Sequence, residues 1–502
     1  MTEEWIIENL KYLKGFCFRT KRAIDQALEA IGMTVDSQLL LLFPLEGGGS
    51  VSRFTGVTMS GPLPDDDIAE IASSVADMEN QDHGQQITHS NPQLNDMRGW
   101  LEFQMRRADA ISRALETSPQ FEGLSFFASA RAPIHGHEAH TCVGIKTAEL
   151  GRFPALEGPV VDRVHVGRSL QHEVIDECLR RADRSLYTWD PNSQEGPLGS
   201  LADVNRTAAS ELVDGLTRRA SEIHADLFSK IEAITSRLYE RSGARGRLVI
   251  ANSEKHEIKQ SNAIDLRVRF EHPVSIGEER TMRKLLELTD DETAVLAAHQ
   301  DTPQWDMYAY GLGTYRPHPK ALEIAVIGHA EWQASIDNKK LVRVSYGHAS
   351  LPKPKLEAHK FLDAFEETFG TRNGDAVWSV VQAAVDTGRG MTIAISEEPE
   401  SEAHRLSGQA VLVEPHLLDA AEVIRLGRVD GAVLLGSDAN CHALGVILDG
   451  LASGASKPSE SRSRGSRYNS AVRYQAAANH RSLLVVISDD GMVDLIPESD
   501  AG

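Results

Sequence analysis

Three short clusters in the last quarter of this 502-residue chain carry residue types suited to a phosphorylated ligand. The first is Asp430-Gly431-Ala432, which leads into the apolar run Val433-Leu434-Leu435. A carboxylate at the mouth of a strand can hold a divalent ion or polarise a hydroxyl. Two neighbours with almost no side chain let a bulky ligand approach the backbone. The same residues also read as a tight turn into a strand. The second cluster, Arg462-Ser463-Arg464-Gly465-Ser466-Arg467-Tyr468-Asn469-Ser470, opens a helical stretch. Free N–H groups at a helix start, the Ser466 hydroxyl and the guanidinium groups of Arg464 and Arg467 make a phosphate cradle. A solvated loop ending in a Ser or Asn cap is the alternative. The third cluster is Ser488-Asp489-Asp490-Gly491, whose paired acids can supply a further metal ligand or simply form a hairpin turn of the Asp-Gly type.

These clusters need elements to hold them, and the pattern from residue 376 onward supplies a regular alternation. Helices are expected at 376–385, 400–406, 417–426 and 469–479, and strands at 391–395, 411–413, 431–435, 443–448, 483–487 and 492–496. Helices between short apolar strands predict a mixed sheet covered on both faces, with ligands at the polar loops of the strand ends. Upstream, three- and four-residue spacing predicts helices at 4–32, 169–187, 205–241 and 360–369. Strands are expected at 37–44, 247–251, 264–270, 322–327 and 341–346. Turn-rich stretches at 190–199 and 371–375 mark the boundaries. The expected organisation is an α/β region over 1–190, a second α/β or α+β region over 200–370 and a C-terminal α/β domain over 376–502.

Lys and Arg number 52 against 73 Asp and Glu, a formal charge of −21. Such a surface disfavours general nucleic-acid binding but leaves room for ATP, whose charge a few fixed groups and a divalent ion can meet. The densest apolar run, 39–42, is far below the length of a membrane span, and the N-terminal residues lack a signal-peptide pattern. Cys17, Cys142, Cys178 and Cys441 are widely spaced, as expected of reduced thiols, so a soluble cytoplasmic chain is expected. His135, His137, His140 and Cys142 offer zinc-type ligands but match no closed zinc pattern, and read as a polar loop. The acid run Asp65-Asp66-Asp67 reads as a helix start, and Glu46 to Ser50 as a turn rather than a phosphate-binding loop.

Taken in order, the three clusters resemble the diadenylate cyclase domain, the catalytic module shared with the DNA integrity scanning protein. That family carries an Asp-Gly-Ala tripeptide, a later Gly-Thr-Arg-His-Arg segment and a Ser-Glu-Glu-like turn. Here they fall on Asp430-Gly431-Ala432, Gly465-Ser466-Arg467-Tyr468-Asn469 and Ser488-Asp489-Asp490. The likeness reaches back to Gly388-Arg389-Gly390 and covers residues 376–497. It departs from the family at Ser466, which keeps the hydroxyl, and at Tyr468 and Asn469, which replace a His and an Arg. Residues 204–370 are similar, more loosely, to sensor-like regions ahead of this domain in soluble bacterial cyclases, on Arg247-Leu-Val-Ile-Ala251, Arg283-Lys-Leu-Leu-Glu287 and Tyr310-Gly-Leu-Gly313.

The resemblance implies the diadenylate cyclase fold and the condensation of two ATP into cyclic di-AMP with release of two pyrophosphates, using Mg²⁺ or Mn²⁺. It implies catalytic roles for Asp430, Ser466 and Arg467 and nucleotide contacts from Gly431, Ala432, Arg464, Gly465, Ser466, Arg467 and Ser488. Asp430 and Asp490 would be metal ligands. It also implies a homo-oligomer in which two sites face each other, without membrane or nucleic-acid partners. The alternative is an inactive, ATP-binding sensor on the same fold.

Overall fold

The computed structural model describes the chain apart from residues 1–2, 46–52, 64–72, 74, 76–104, 106, 158–159, 162–163, 166–167, 189, 191–195, 222–225, 238–244, 252–262, 291, 300–305, 353–355, 387–389, 427–429, 449–465, 489–492 and 498–502. Chain contacts divide it into two units, Met1–Pro352 and Lys353–Gly502.

In the first unit, helix Glu3–Ala30 turns Leu13, Phe16, Cys17, Ile24 and Leu28 inward at three- and four-residue steps. With helices Leu170–Tyr187 and Leu201–Ser221 it shares an apolar core that runs on through Leu248 to Leu351, so residues on both sides of 190–199 pack together. One antiparallel sheet has the order Arg53–Thr58, Gln38–Leu45, His137–Lys146, Leu124–Ala128, with Ala132–Ile134 also paired to His137–Lys146. An eight-stranded sheet covers residues 246–350. Its neighbours are antiparallel except Gly246–Ala251 beside Thr293–His299.

Three expectations for this unit need correction. The helix expected over 205–241 is two helices, Leu201–Ser221 and Leu227–Thr235. The second begins afresh where the Asp226 carboxylate accepts the Ser229 N–H at 3.3 Å. Between 322–327 and 341–346 lies a strand the pattern did not reveal, Glu331–Ile336, closed by a two-residue turn at Asp337 and Asn338 with φ of 51° and 62°. The histidine cluster is not a polar loop. His135 and Gly136 form the turn into strand His137–Lys146, and His140 and Cys142 are buried. Among the described residues, no group of three or more His, Cys, Asp or Glu is placed to hold a metal ion, and no helix is long and apolar enough to cross a membrane.

The second unit runs α1 (Ala358–Phe369), α2 (Asp375–Asp386), β1 (Met391–Ser396), α3 (Pro399–Arg405), β2 (Val411–Leu417), α4 (Ala420–Leu426), β3 (Ala432–Gly436), β4 (Asn440–Val446), α5 (Ser466–Ala477), β5 (Ser482–Ile487) and β6 (Val493–Ile496). The sheet order is β2-β4-β3-β1-β5-β6, with β1 and β3 parallel and every other pair antiparallel. It is thus a mixed α/β layer structure. Alternate residues serve two cores. Ile393, Ile395, Val433 and Leu435 meet Phe361 and Phe365 of α1 and Val381 of α2. Ala394, Ala432, Leu434 and Leu484 meet Ala403 of α3 and Ala471 and Tyr474 of α5. Helix α1, grouped with 200–370 by its position before the turn-rich stretch, therefore belongs to this unit. Its two fully buried phenylalanines are each worth roughly 2–3 kcal/mol of apolar burial.

Candidate functional site

The strand registers decide which residues leave the sheet together. Met391 of β1 pairs with Ile487 of β5, and Thr392 of β1 pairs with Ala432 of β3. Gly390, Asp430-Gly431 and Ser488 are consequently at one end of the sheet. Helix α5 reaches the same end. Its C-terminal half is tied to the opposite one, where the Ser482 hydroxyl donates to Gln475 Oε1 at 2.7 Å and the Tyr474 hydroxyl donates to Glu402 Oε1 at 2.6 Å. A helix of this length spans about 18 Å and a six-residue strand about 20 Å, so Ser466 and Arg467 lie toward the end where β1 and β3 begin.

Asp430 is exposed, and its Oδ1 accepts the Gly431 N–H at 3.1 Å. Gly431 has φ of +100°, and a Cβ there would stand 2.6 Å from the carbonyl carbon of Gly445 and 2.8 Å from its oxygen. The glycine is thus demanded by the close approach of β3 and β4, whatever binds beside it. Ala432 is 2% exposed, and its small side chain packs into the core shared with α5 rather than lining an open surface. Ser466 is exposed in the first turn of α5, Arg467 and Ser488 are half-buried, and Tyr468 packs against the core that holds Ala432 and Val446. Arg464, Gly465, Asp489, Asp490, Gly388 and Arg389 lie outside the described residues. A magnesium ion takes one or two protein carboxylates and completes its shell with phosphate and water. The Asp430 carboxylate, exposed and with its Oδ2 unpartnered among the described residues, fits that demand.

At the other end, outside the carboxyl ends of parallel β1 and β3, lies a cleft of about 530 Å³ formed by residues 397–401, 436–438 and His442. Such crevices are where open sheets with parallel strands commonly bind ligands. Arg481 grips Glu397 through two bonds of 3.0 and 2.9 Å. Behind the cleft, Glu402 is 4% exposed; burial alone would raise its carboxyl, but the Arg405 guanidinium and the Tyr474 hydroxyl hold it below the usual range. The sequence left these residues unmarked because segments some forty positions apart supply them. The available signals were the acid run Glu397-Glu398-Pro399-Glu400 and the turn Gly436-Ser437-Asp438.

No curated protein matches the chain. Among solved structures, a double mutant of DacA from Staphylococcus aureus aligns at 16% identity over 25% of this chain and 82% of its own, with a TM-score of 0.21, too low to establish a shared fold. Residues 12–213 match the family described as probable sensor domain DACNG, a span that contains 190–199. Residues 225–338 match the family described as probable sensor domain DACNH. The first unit is therefore built from two segments that each match a sensor-domain family.

Proposed function

We propose that the second unit is a diadenylate cyclase that condenses two ATP into cyclic di-AMP and two pyrophosphates in the cytoplasm, and that the first unit is its sensor region. The observation that carries this reading is the convergence of Asp430-Gly431, the start of α5 and Ser488 on one end of the sheet. The two sensor-domain matches support it independently, since such domains accompany diadenylate cyclases.

In this reading Ser466 and Arg467 grip the triphosphate: the hydroxyl and guanidinium act with the N–H groups of the first turn of α5, where the helix dipole favours an anion. Asp430 holds the ribose 3′-hydroxyl side of the site and accepts or relays its proton. With Asp490 it is also the proposed anchor for Mg²⁺ or Mn²⁺, which when bound neutralises phosphate charge. Gly431, Ala432, Arg464, Gly465 and Ser488 complete the nucleotide's surroundings. Two chains face each other, each holding one ATP. Each 3′-oxygen forms a bond to the opposite α-phosphorus as the bond to the leaving pyrophosphate breaks, so the rate rests on positioning and charge neutralisation.

Incubation of the purified full chain with ATP and Mg²⁺ or Mn²⁺, with mass spectrometry of the products, is the test. Cyclic di-AMP is the expected product. A second reading, an ATP-binding sensor without turnover, is favoured by one observation: Tyr468, at the position of the family's His, packs into the core. Calorimetric ATP binding with no product under either metal would select it.

A further inference from the structure

We infer that Tyr474 and Glu402 are positioning residues for the site at the start of α5. Their buried hydrogen bond fixes where along its axis, and at what rotation, the helix presents Ser466 and Arg467. The inference rests on the reading of α5 as the helix that grips the triphosphate, and its test separates the two.

The surface that α5 packs on is smooth. The core it shares with the sheet contains Ala394 of β1, Ala403 of α3, Ala432 of β3, Ala443 of β4 and Ala471 of α5 itself. Helices settle into a fixed position when the ridges of one surface enter the grooves of the next, and alanines raise only low ridges. Apolar burial is also non-directional, so it holds the helix down without choosing its place along the sheet. The opposite core differs, since Phe361 and Phe365 of α1 give it large interlocking side chains.

Tyr474 adds the missing direction. It is 1% exposed, and its hydroxyl donates to Glu402 Oε1 at 2.6 Å. Glu402 is itself fixed by Arg405, whose Nε donates to Oε2 at 2.8 Å and whose Nη2 donates to Oε1 at 2.7 Å. A charge-assisted bond of this kind is short and directional, and a satisfied buried network rigidifies the elements it joins. Helix α3, which carries Glu402 and Arg405, follows directly on β1 and packs Ala403 into the same core. The bond therefore references α5 to the sheet. Arg467 precedes Tyr474 by seven residues, or two turns, so the two share one face of the helix about 10 Å apart along its axis. Ser466 is one residue further. A slip at Tyr474 is carried rigidly to both, and a misplacement of about 1 Å can cost about a hundredfold in rate. The Ser482 hydroxyl bond to Gln475 is a second tether, so loss of the Tyr474 hydroxyl loosens α5 without releasing it.

The test is calorimetry of the full chain with Mg²⁺ and α,β-methylene-ATP, an analogue that cannot lose pyrophosphate, beside steady-state product formation from ATP. Tyr474→Phe should weaken binding of the analogue about fivefold at unchanged stoichiometry, the scale of one buried hydrogen bond. It should also lower kcat about tenfold. The unchanged stoichiometry reports that the variant is folded. Val381→Ala removes buried packing from the other core of the same unit and should leave Kd and kcat within about twofold. Tyr474→Phe/Glu402→Leu should match Tyr474→Phe, because both substitutions break the same bond. A Tyr474→Phe variant indistinguishable from Val381→Ala overturns the inference and leaves the cyclase reading standing. A double variant about fivefold weaker again overturns it too, since Glu402 would then act by another route. A parent that binds the analogue but makes no product overturns the cyclase reading alone, and the Kd values still decide the inference. A parent that binds no analogue overturns both.

Discussion

The two ends of the second unit's sheet differ in how they are assembled. At the Asp430 end, each contribution comes from a run of neighbours in sequence: a carboxylate with its glycine, a helix start with its hydroxyl and arginine, a serine after a strand. At the cleft end, Glu398, Glu400, Asp438 and His442 come from two separate turns and a bulge, and only the parallel pairing of β1 with β3 brings them together. The signs differ as well. The start of α5 carries exposed Ser466 and half-buried Arg467 at the positive end of a helix dipole, whereas the cleft is lined by carboxylates. A single strand, β3, connects the two, with Gly431 before it and Gly436 at its end. Local motifs thus announce one kind of site, and register conceals the other.

The largest effect that can break this contrast is catalytic. Asp430→Asn should lower cyclic di-AMP formation about a thousandfold, as loss of a proton-handling carboxylate does, while Glu414→Gln on exposed β2 leaves it unchanged. Retained activity in Asp430→Asn would remove the site from this end of the sheet. The glycines at the two ends of β3 come next. Gly431→Ala sets a Cβ at φ +100° against the Gly445 backbone and should cost about 3 kcal/mol. Gly436→Ala meets the Asp438 carboxylate, which Asn440 holds by two hydrogen bonds, and Pro399 Cγ at 3.2 Å; a side chain rather than backbone has to move, so the cost should be smaller, about 2 kcal/mol. Urea unfolding of the two variants reads the difference, and equal losses would mean that β3 and β4 can separate at Gly431.

How much of this was legible follows from the same contrast. The elements of the second unit lie within a few residues of expectation because short aliphatic strands are bracketed by Gly, Pro and Asp. Pro399 opens α3, and Gly370 ends α1 at φ +73°. Periodicity in the first unit continued past Asp226, whose capping bond is invisible to hydrophobic spacing. Strand His137–Lys146 looked like a loop because it is rich in polar residues, two of which bond to Ser129 on a separate segment. His140 Nδ1 lies 3.0 Å from the Ser129 carbonyl, and Ser129 Oγ accepts the Thr141 N–H at 2.9 Å. The three clusters raise an expectation of phosphate chemistry, but nothing local in them says that Gly431 answers to Gly445, nor that Ala432 answers to the core. The cleft required the register of β1 on β3 and the bulge at His442, neither of which leaves a local pattern.

Acids are also used differently in the two units, and pH can expose it. In the first unit Glu173 is buried on helix Leu170–Tyr187. Burial, with the Asp176 and Glu211 carboxylates acting the same way, pushes its carboxyl up to about 8. Burial pushes Asp183 up to about 7 against the bonds from Ser129 and Thr141. Between the ordinary carboxylate range and these values, the folded chain keeps protons that the unfolded chain releases, so this unit loses stability as pH rises from about 5 to 8. Glu173→Gln should flatten that slope and add about 2 kcal/mol at pH 8 relative to pH 6. Thermal unfolding at the two pH values checks it; an unchanged slope would mean that Glu173 is ionised in the fold.

In the second unit the sign reverses at Glu402, which stays charged beside Arg405 and Tyr474 behind the cleft. With the folded carboxyl held below its ordinary value, the stabilisation is present above the ordinary carboxylate range and is lost as pH falls through the folded value. Tyr474→Phe removes a donor from a buried carboxylate and should cost about 1.5 kcal/mol at pH 7. The Arg405 guanidinium still holds the charge, so the unit should remain folded. The cost should shrink toward pH 4, where protonation of Glu402 weakens the bond in the parent as well. Chemical unfolding of parent and variant at both pH values reads this directly. A difference that stays constant with pH would show that the hydroxyl supports Glu402 by packing alone, and that this end of the sheet does not depend on the charge of the acid behind its cleft.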